Sequence, residues 1–435
     1  MAYYVVEGGN RGKGVYVPQG AKNEALQVIS AALLCDGEVT YHNVPEIGDV
    51  LKMLKILEAL GSEIKKISHG SYRIRAKNIN PDNLLEPEIV KIFRELRGSI
   101  LVIGPLLARF GKVSFPAPGG DKIGRRSIDT HLNSFLQLGV KLKYDDKKNT
   151  FTLEGTIHGE NYILMDEPSV TGTANLLLAL ALNPHKVTIY NCACEPYIQQ
   201  TSRLLQKMGV EIEGAGTNLI RIKGTTTPSG ATHTLLSDMI EVGSIIGLAV
   251  ATSSEITIKN AGVNHLGSIL PNFKKIGINV ITIGDDIYVP PHENFTISER
   301  IDGGLLTIYD APWPGFPADL ISIVITVAIH GRGSLLVHQK MFESRLFFVD
   351  RLIEMGAKII LCDPHRVVVI GLDRQVPLRG ITMSSPDIRA GMALLIAALS
   401  AHGTSIIHNI EQIQRGYENI HQKLANLGFN IQLVD

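Results

Sequence analysis

Residues 57–64 read LEALGSEI: four residues of helix character, a glycine, then the first alternating residues of a strand. Glycine just past the last apolar turn of a helix is a stop signal, because it adopts the left-handed backbone that other residues resist. The same phrase returns as LQLGVKL at 136–142, QKMGVEI at 206–212, KKIGINV at 274–280, EMGAKI at 354–359 and ANLGFNI at 425–431. The glycines are Gly61, Gly139, Gly209, Gly277, Gly356 and Gly428, spaced 78, 70, 68, 79 and 72 residues apart. Six copies of one unit therefore fill the chain, with a period far longer than that of the common solenoids.

Upstream of each phrase lies a second recurring passage. ISAALLCDGEVTYHNV (29–44) and IIGLAVATSSEITIKNA (245–261) are examples. Each is an apolar helix, a polar break, and a strand with period-two alternation. These helices are apolar nearly all round, so they should be buried, with the sheets outside them. Each unit reads helix, strand, loop, helix, glycine stop, strand. The expected fold class is α/β: two pseudo-symmetric domains of three units each.

The totals bound the partners. The chain has 435 residues, 45% of them hydrophobic, with 42 Lys plus Arg against 42 Asp plus Glu. That balance argues against nucleic acid or an anionic membrane as partner. The four cysteines, Cys35, Cys192, Cys194 and Cys362, have no metal spacing and read as thiols in a reducing compartment. The start carries no signal pattern, and the longest apolar runs are too short to span a bilayer, so a soluble cytoplasmic protein without membrane insertion is expected. No metal motif or nucleotide-fold motif occurs.

The unusual residues recur between the strand and the second helix of the units, where helix N-termini with their free N–H groups favour anions. The densest example is PAPGGDKIGRRSIDTH, 116–131, which gathers Asp121, Arg125, Arg126, Asp129 and His131 behind two glycines. It reads as a solvated turn or as a mobile loop that handles an anion. PQGAKNEAL (18–26) offers Lys22 and Asn23 as a solvated lysine with a capping asparagine, or as phosphate contacts. FRELRGSI (93–100) holds Arg94 and Arg97. DEPSVTGTAN (166–175) opens a helix with hydroxyls that either cap it or meet a diphosphate. APWPGFPADL (311–320) sets Asp319 at a proline-framed helix start, as an N-cap or as a general base. Lys22, Arg126, Arg345, Arg389 and Arg415 put five cations at unit starts of a neutral protein, which fits a small polyanion.

Taken together, from GAKN at 20–23 to RGYENI at 415–420, these motifs resemble the enolpyruvyl transferase family, and within it the branch that acts on UDP-N-acetylglucosamine. The resemblance implies two inside-out α/β domains, one spanning 22–236 and carrying a lid loop at 114–124, the other combining 1–21 with 237–435. It places the active site in the cleft between them. It implies an addition–elimination between phosphoenolpyruvate and the 3′-hydroxyl of UDP-N-acetylglucosamine, without metal or organic cofactor; protein partners are unknown. Lys22, Arg126 and Arg415 match cations on the phosphate side, Arg345 and Arg389 those on the carboxylate side, and Asn23 also borders phosphoenolpyruvate. Asn23, Arg97, the segment Arg126, Ser127, Ile128, Asp129 and Thr130, the segment Glu167, Pro168, Ser169 and Val170, Asp319 and Met341 match positions that hold the UDP-sugar. Asp319 would take the hydroxyl proton, Lys22 would assist, and Asp121 would be the proton donor on the lid. Asp121 stands where a thiol is common, Glu167 where a lysine is, Thr171 where a glycine is, and Met239 where an arginine often is. The sister activity on shikimate 3-phosphate and a non-catalytic anion-binding homologue are the alternatives.

Overall fold

The computed structural model describes residues 2–120, 127–157 and 161–434. The chain divides into two compact units: residues 2–19 with 237–434, and residues 20–120 with 127–236. Among the described residues the strands form six sheets, five of four strands and one of three.

Residues 306–370 show the unit's plan. Strand Leu306–Tyr309 leads through helix Ile321–Ala328 to the parallel strand Ser334–His338. Helix Val349–Glu354 then leads to a hairpin, Lys358–Asp363 and Arg366–Ile370. The last strand inserts between its two neighbours and is antiparallel to both. The glycine phrase thus marks only the first strand of a hairpin. The hairpin's second strand and the leading strand carry no comparable mark, and they enlarge the unit expected from the sequence.

Two units borrow strands from the chain's start. Tyr3–Glu7 fills the inserted position between Thr404–His408 and Asn430–Val434, and Lys13–Tyr16 lies parallel to Glu255–Ile258. Thr232–Thr234 in turn lies parallel to Glu38–His42. The first 19 residues therefore belong to the sheets of the C-terminal half.

The apolar helices are interior. Every residue of Met239–Ala251 and of Ile321–Ala328 is buried, and these two helices pack on each other and on Ile388–Ser400. In the other unit Ile103–Phe110 packs on Val170–Leu180, and Lys22–Ala31 is buried except at Asn23. Strands such as Ser334–His338 alternate buried and partly exposed residues, so each sheet covers the helices with one face.

All six stop glycines have positive φ, between +81° and +108°. At Gly356 nothing lies within 4 Å of a would-be Cβ, whereas at Gly61 that atom would overlap the Asn78 carbonyl oxygen. Gly356→Ala should therefore cost only the backbone penalty, about 1–2 kcal/mol, and Gly61→Ala clearly more. Denaturant unfolding of both variants tests the ranking; equal losses would mean that conformation alone fixes the glycine.

The two points where the chain passes between units are pinned in the same way. Glu24 and Glu241 are each the third residue of a buried helix, and both are fully buried. Glu24 accepts from Leu236 N at 3.2 Å and faces His233 Nε2 at 2.8 Å. Glu241 accepts from Gln19 N at 2.6 Å, from Lys423 Nζ at 3.1 Å and from the Tyr16 hydroxyl. Burial raises both carboxyl pKa values, against the pull of these partners.

Candidate active site

The unit containing residues 237–434 gathers three of the expected residues. Asp319 lies in the short turn Ala318–Leu320 ahead of helix Ile321–Ala328. Its side chain caps neither element. One oxygen accepts from Arg345 Nη1 at 2.7 Å, the other from Arg389 Nε at 3.2 Å. The side chains of Arg345, Arg389 and Asp319 are 13%, 6% and 23% exposed, so this is a largely desolvated bridge between two cations.

Arg389 sits in the first turn of helix Ile388–Ser400, where the helix dipole opposes a positive charge. Asp387 offsets this by accepting from Arg389 N at 2.7 Å and Ala390 N at 3.0 Å. The guanidinium of Arg389 lies over Tyr417, and that of Arg345 over Phe342. A concavity beside them is lined by Ala318, Ile321, Ser322, Gln339, Arg345, Asp387, Arg389 and Ala390. Arg345 Nε and Arg389 Nη1 are buried without a hydrogen-bond partner among the described residues. Two guanidinium groups beside a concavity, with a single carboxylate between them, can receive an anion.

Asp310 anchors the segment that carries Gln339, a lining residue. It is fully buried at the end of strand Leu306–Tyr309 and accepts from Gln339, from Lys340 N and from Met341 N, the last at 3.1 Å. Burial raises its pKa, and the two backbone N–H groups oppose the rise. This anchor fixes the 339–341 segment, so Met341, half-exposed, is held by its backbone. Arg415 closes the short helix Glu411–Gln414 and donates to Gln412 Oε1 at 2.8 Å.

The other unit holds the remaining residues. Lys22 is the first residue of its helix, buried, with Nζ 3.0 Å from Asp49 Oδ2. Ala21 occupies the cap position and Asn23 follows Lys22, so Asn23 is not the cap. Arg97 opens the turn Arg97–Val102 and donates to the Ser127 carbonyl. Ser127 Oγ accepts from Asp129 N at 3.0 Å, Ile128 is buried at the cap of helix Asp129–Gln137, and Asp129 is exposed. Thr130 Oγ1 donates to Glu167 Oε1 at 3.1 Å, which joins the two expected UDP-sugar segments. Pro168 is partly exposed, Ser169 caps helix Val170–Leu180 by accepting from Gly172 N, and Val170 begins it. Asp121 and Arg126 lie outside the described residues.

The family model for EPSP synthase (3-phosphoshikimate 1-carboxyvinyltransferase) matches residues 6–424. The chain belongs to the enolpyruvyl transferase family. Proteins named UDP-N-acetylglucosamine 1-carboxyvinyltransferase from Porphyromonas gingivalis and Bacteroides thetaiotaomicron are 52% and 51% identical to it, over 99% and 100% of both chains. In fold this enolpyruvyl transferase is similar to the enolpyruvyl transferase NikO from Streptomyces tendae, with a TM-score of 0.87 at 20% identity over 100% of this chain and 99% of that one. EPSP synthase from Acinetobacter baumannii gives 0.70 at 16% identity over both whole chains.

Several residues of this enolpyruvyl transferase escaped the sequence reading. Asp49, partner of Lys22, stands in the first turn of helix Gly48–Ala59, where an acid is unremarkable. Asp310 carried a signal only as an acid ending a strand before prolines. His131 was visible in the dense stretch but had no role. It is buried, with Nε2 3.1 Å from Thr171 Oγ1 and Nδ1 3.1 Å from Asn175 Nδ2. Asn175 Oδ1 accepts from Gly104 N, so its nitrogen faces His131 as donor, and the histidine proton resides on Nε2, directed at Thr171. At Gly119 a Cβ would overlap the Arg94 carbonyl oxygen, so the chain runs hard against the 93–97 segment. Among the described residues no group of three or more His, Cys, Asp or Glu could hold a metal ion, and no helix is long and apolar enough to cross a membrane.

Burial, aided by the Arg97 charge, lowers the His131 pKa to about 3. Burial, aided by Arg374, does the same to His330. Each is neutral when folded and charges on unfolding once pH falls below ~6.5. Their stabilisation is therefore full above that pH and is lost as pH drops towards 3, by about 2 kcal/mol each at pH 5. Glu24 and Glu241 have the opposite sign: their raised pKa values lose stability as pH rises above the ordinary carboxyl range. In His131→Gln, the stability difference from the parent should shrink by about 2 kcal/mol between pH 7 and pH 5. Denaturant titrations at the two pH values measure it; a constant difference would place a protonatable His131 in the folded state.

Proposed function

We propose that the chain transfers the enolpyruvyl group of phosphoenolpyruvate to the 3′-hydroxyl of UDP-N-acetylglucosamine and releases phosphate, the first committed step of peptidoglycan synthesis, in the cytoplasm. The observation that carries the reading is full-length identity of 50–52% to relatives of that name. The site geometry is consistent with it. In this reading Arg345 and Arg389 take the substrate carboxylate, and Lys22, Arg126 and Arg415 the phosphate. Asn23, Arg97, residues 126–130, residues 167–170 and Met341 hold the UDP-sugar.

Asp319 removes the proton of the attacking hydroxyl, whose oxygen bonds to C2 while C3 takes a proton from Asp121. Loss of a C3 proton then expels phosphate and restores the double bond. The protein's part is to hold three anionic groups, align the hydroxyl and serve three proton transfers, off the hydroxyl, onto C3 and off C3. Purified protein should release phosphate from phosphoenolpyruvate with UDP-N-acetylglucosamine as acceptor. Release with shikimate 3-phosphate, and none with the UDP-sugar, would reassign the acceptor.

A further inference from the structure

Asp319 bridges two guanidinium groups that come from segments 26 and 70 residues away. A carboxylate with one oxygen on each of two arginines is the arrangement expected of a bound ligand carboxylate. Here the protein supplies that carboxylate itself. Both arginines line the adjoining concavity, so an anion entering it meets the same two guanidinium groups. Asp387, the acid in its lining, has one oxygen committed to backbone N–H groups. An incoming carboxylate would meet the two arginines beside a like charge that already holds them.

We propose that Asp319 is the internal counter-ion of the carboxylate site, and that the substrate carboxylate binds by taking over its hold on Arg345 and Arg389. The inference rests on the proposed role of these arginines. Two carboxylates sharing two guanidinium groups cannot both keep the full set of hydrogen bonds, and crowding of like charge favours the protonated form of the one displaced. Before the exchange Asp319 is a poor base, because both oxygens are engaged by cations. After it the same oxygens are released towards the acceptor hydroxyl. Base activation is thereby tied to arrival of the carboxylate, and an acceptor bound alone meets an inert Asp319.

Pyruvate, a carboxylate that carries no phosphate, is the probe, and no turnover is needed. Calorimetry on the full chain should show pyruvate binding about tenfold tighter to Asp319→Asn than to the parent, because no ion pair must then be opened. Arg345→Gln should weaken it tenfold or more. A crystal structure of the parent with pyruvate should show its carboxylate on Arg345 and Arg389, with at least one of the 2.7 and 3.2 Å contacts of Asp319 lost. Binding that depends on Arg345 but is unchanged or weaker in Asp319→Asn would overturn the exchange alone. So would a complex with pyruvate on the arginines and both Asp319 contacts intact. Pyruvate binding indifferent to Arg345→Gln would remove the carboxylate assignment of the arginines, and the exchange with it. The parent crystal structure keeps the test independent of how the variants fold.

Discussion

Asp319→Asn is expected to lower turnover by about two to four orders of magnitude, the range of a lost general base, without raising KM for phosphoenolpyruvate. The amide has nearly the shape of the carboxylate and position 319 caps no helix, but two desolvated guanidinium groups lose their counter-charge, so the stability of the variant is measured beside its turnover. Its oxygen can still accept one arginine N–H, but it cannot take a proton at neutral pH. A residue whose only task was to align Arg345 and Arg389 would give the reverse pattern, a raised KM with turnover largely kept. Steady-state phosphate release, with each substrate varied in turn, separates the two. Turnover within tenfold of the parent would remove Asp319 from the proton transfer.

How much of this was legible depended on whether one residue could carry the signal alone. The stop glycines could, because no L-residue adopts φ near +100° without strain; all six stand where the repeat put them. The hairpin strand Arg366–Ile370 could not, since a short apolar run carries no mark of its place in a sheet. Nor could the strand Tyr3–Glu7, whose partners Thr404–His408 and Asn430–Val434 lie some four hundred residues away. At the site, Asp319 stood out as an acid framed by prolines. Whether it capped a helix or met a cation was decided by Arg345 and Arg389, which only the folded chain brings to it. Lys22 was conspicuous for the same reason. Asp49 was not, because an acid in a first helical turn already has a sufficient local explanation in the helix dipole.

Asp121→Cys should be irreversibly inactivated by fosfomycin, and the parent is expected to stay active in it. Where the family's lid carries a cysteine, the drug acts through its epoxide, which the thiolate opens by attack on carbon to leave a stable thioether. Asp121 lies outside the described residues, and the expectation rests on the chemistry of the side chain. A thiolate is a soft, strong nucleophile. A carboxylate attacks an unactivated epoxide far more slowly, so the parent should keep its activity through an incubation that consumes the variant. The proposed proton-donating role bears on the same residue with the opposite preference. A free aspartate titrates near ~3.9 and a thiol near ~8.5, so at neutral pH the thiol is the readier donor. Unless closure of the site raises the Asp121 pKa, parent activity should fall at lower pH than that of the cysteine variant. Mass spectrometry after incubation with fosfomycin and UDP-N-acetylglucosamine should find the adduct in the Asp121→Cys variant only, at position 121. An adduct on the parent at a comparable rate would mean that the carboxylate at 121 is far more nucleophilic than its class, and that the choice of acid over thiol confers no protection.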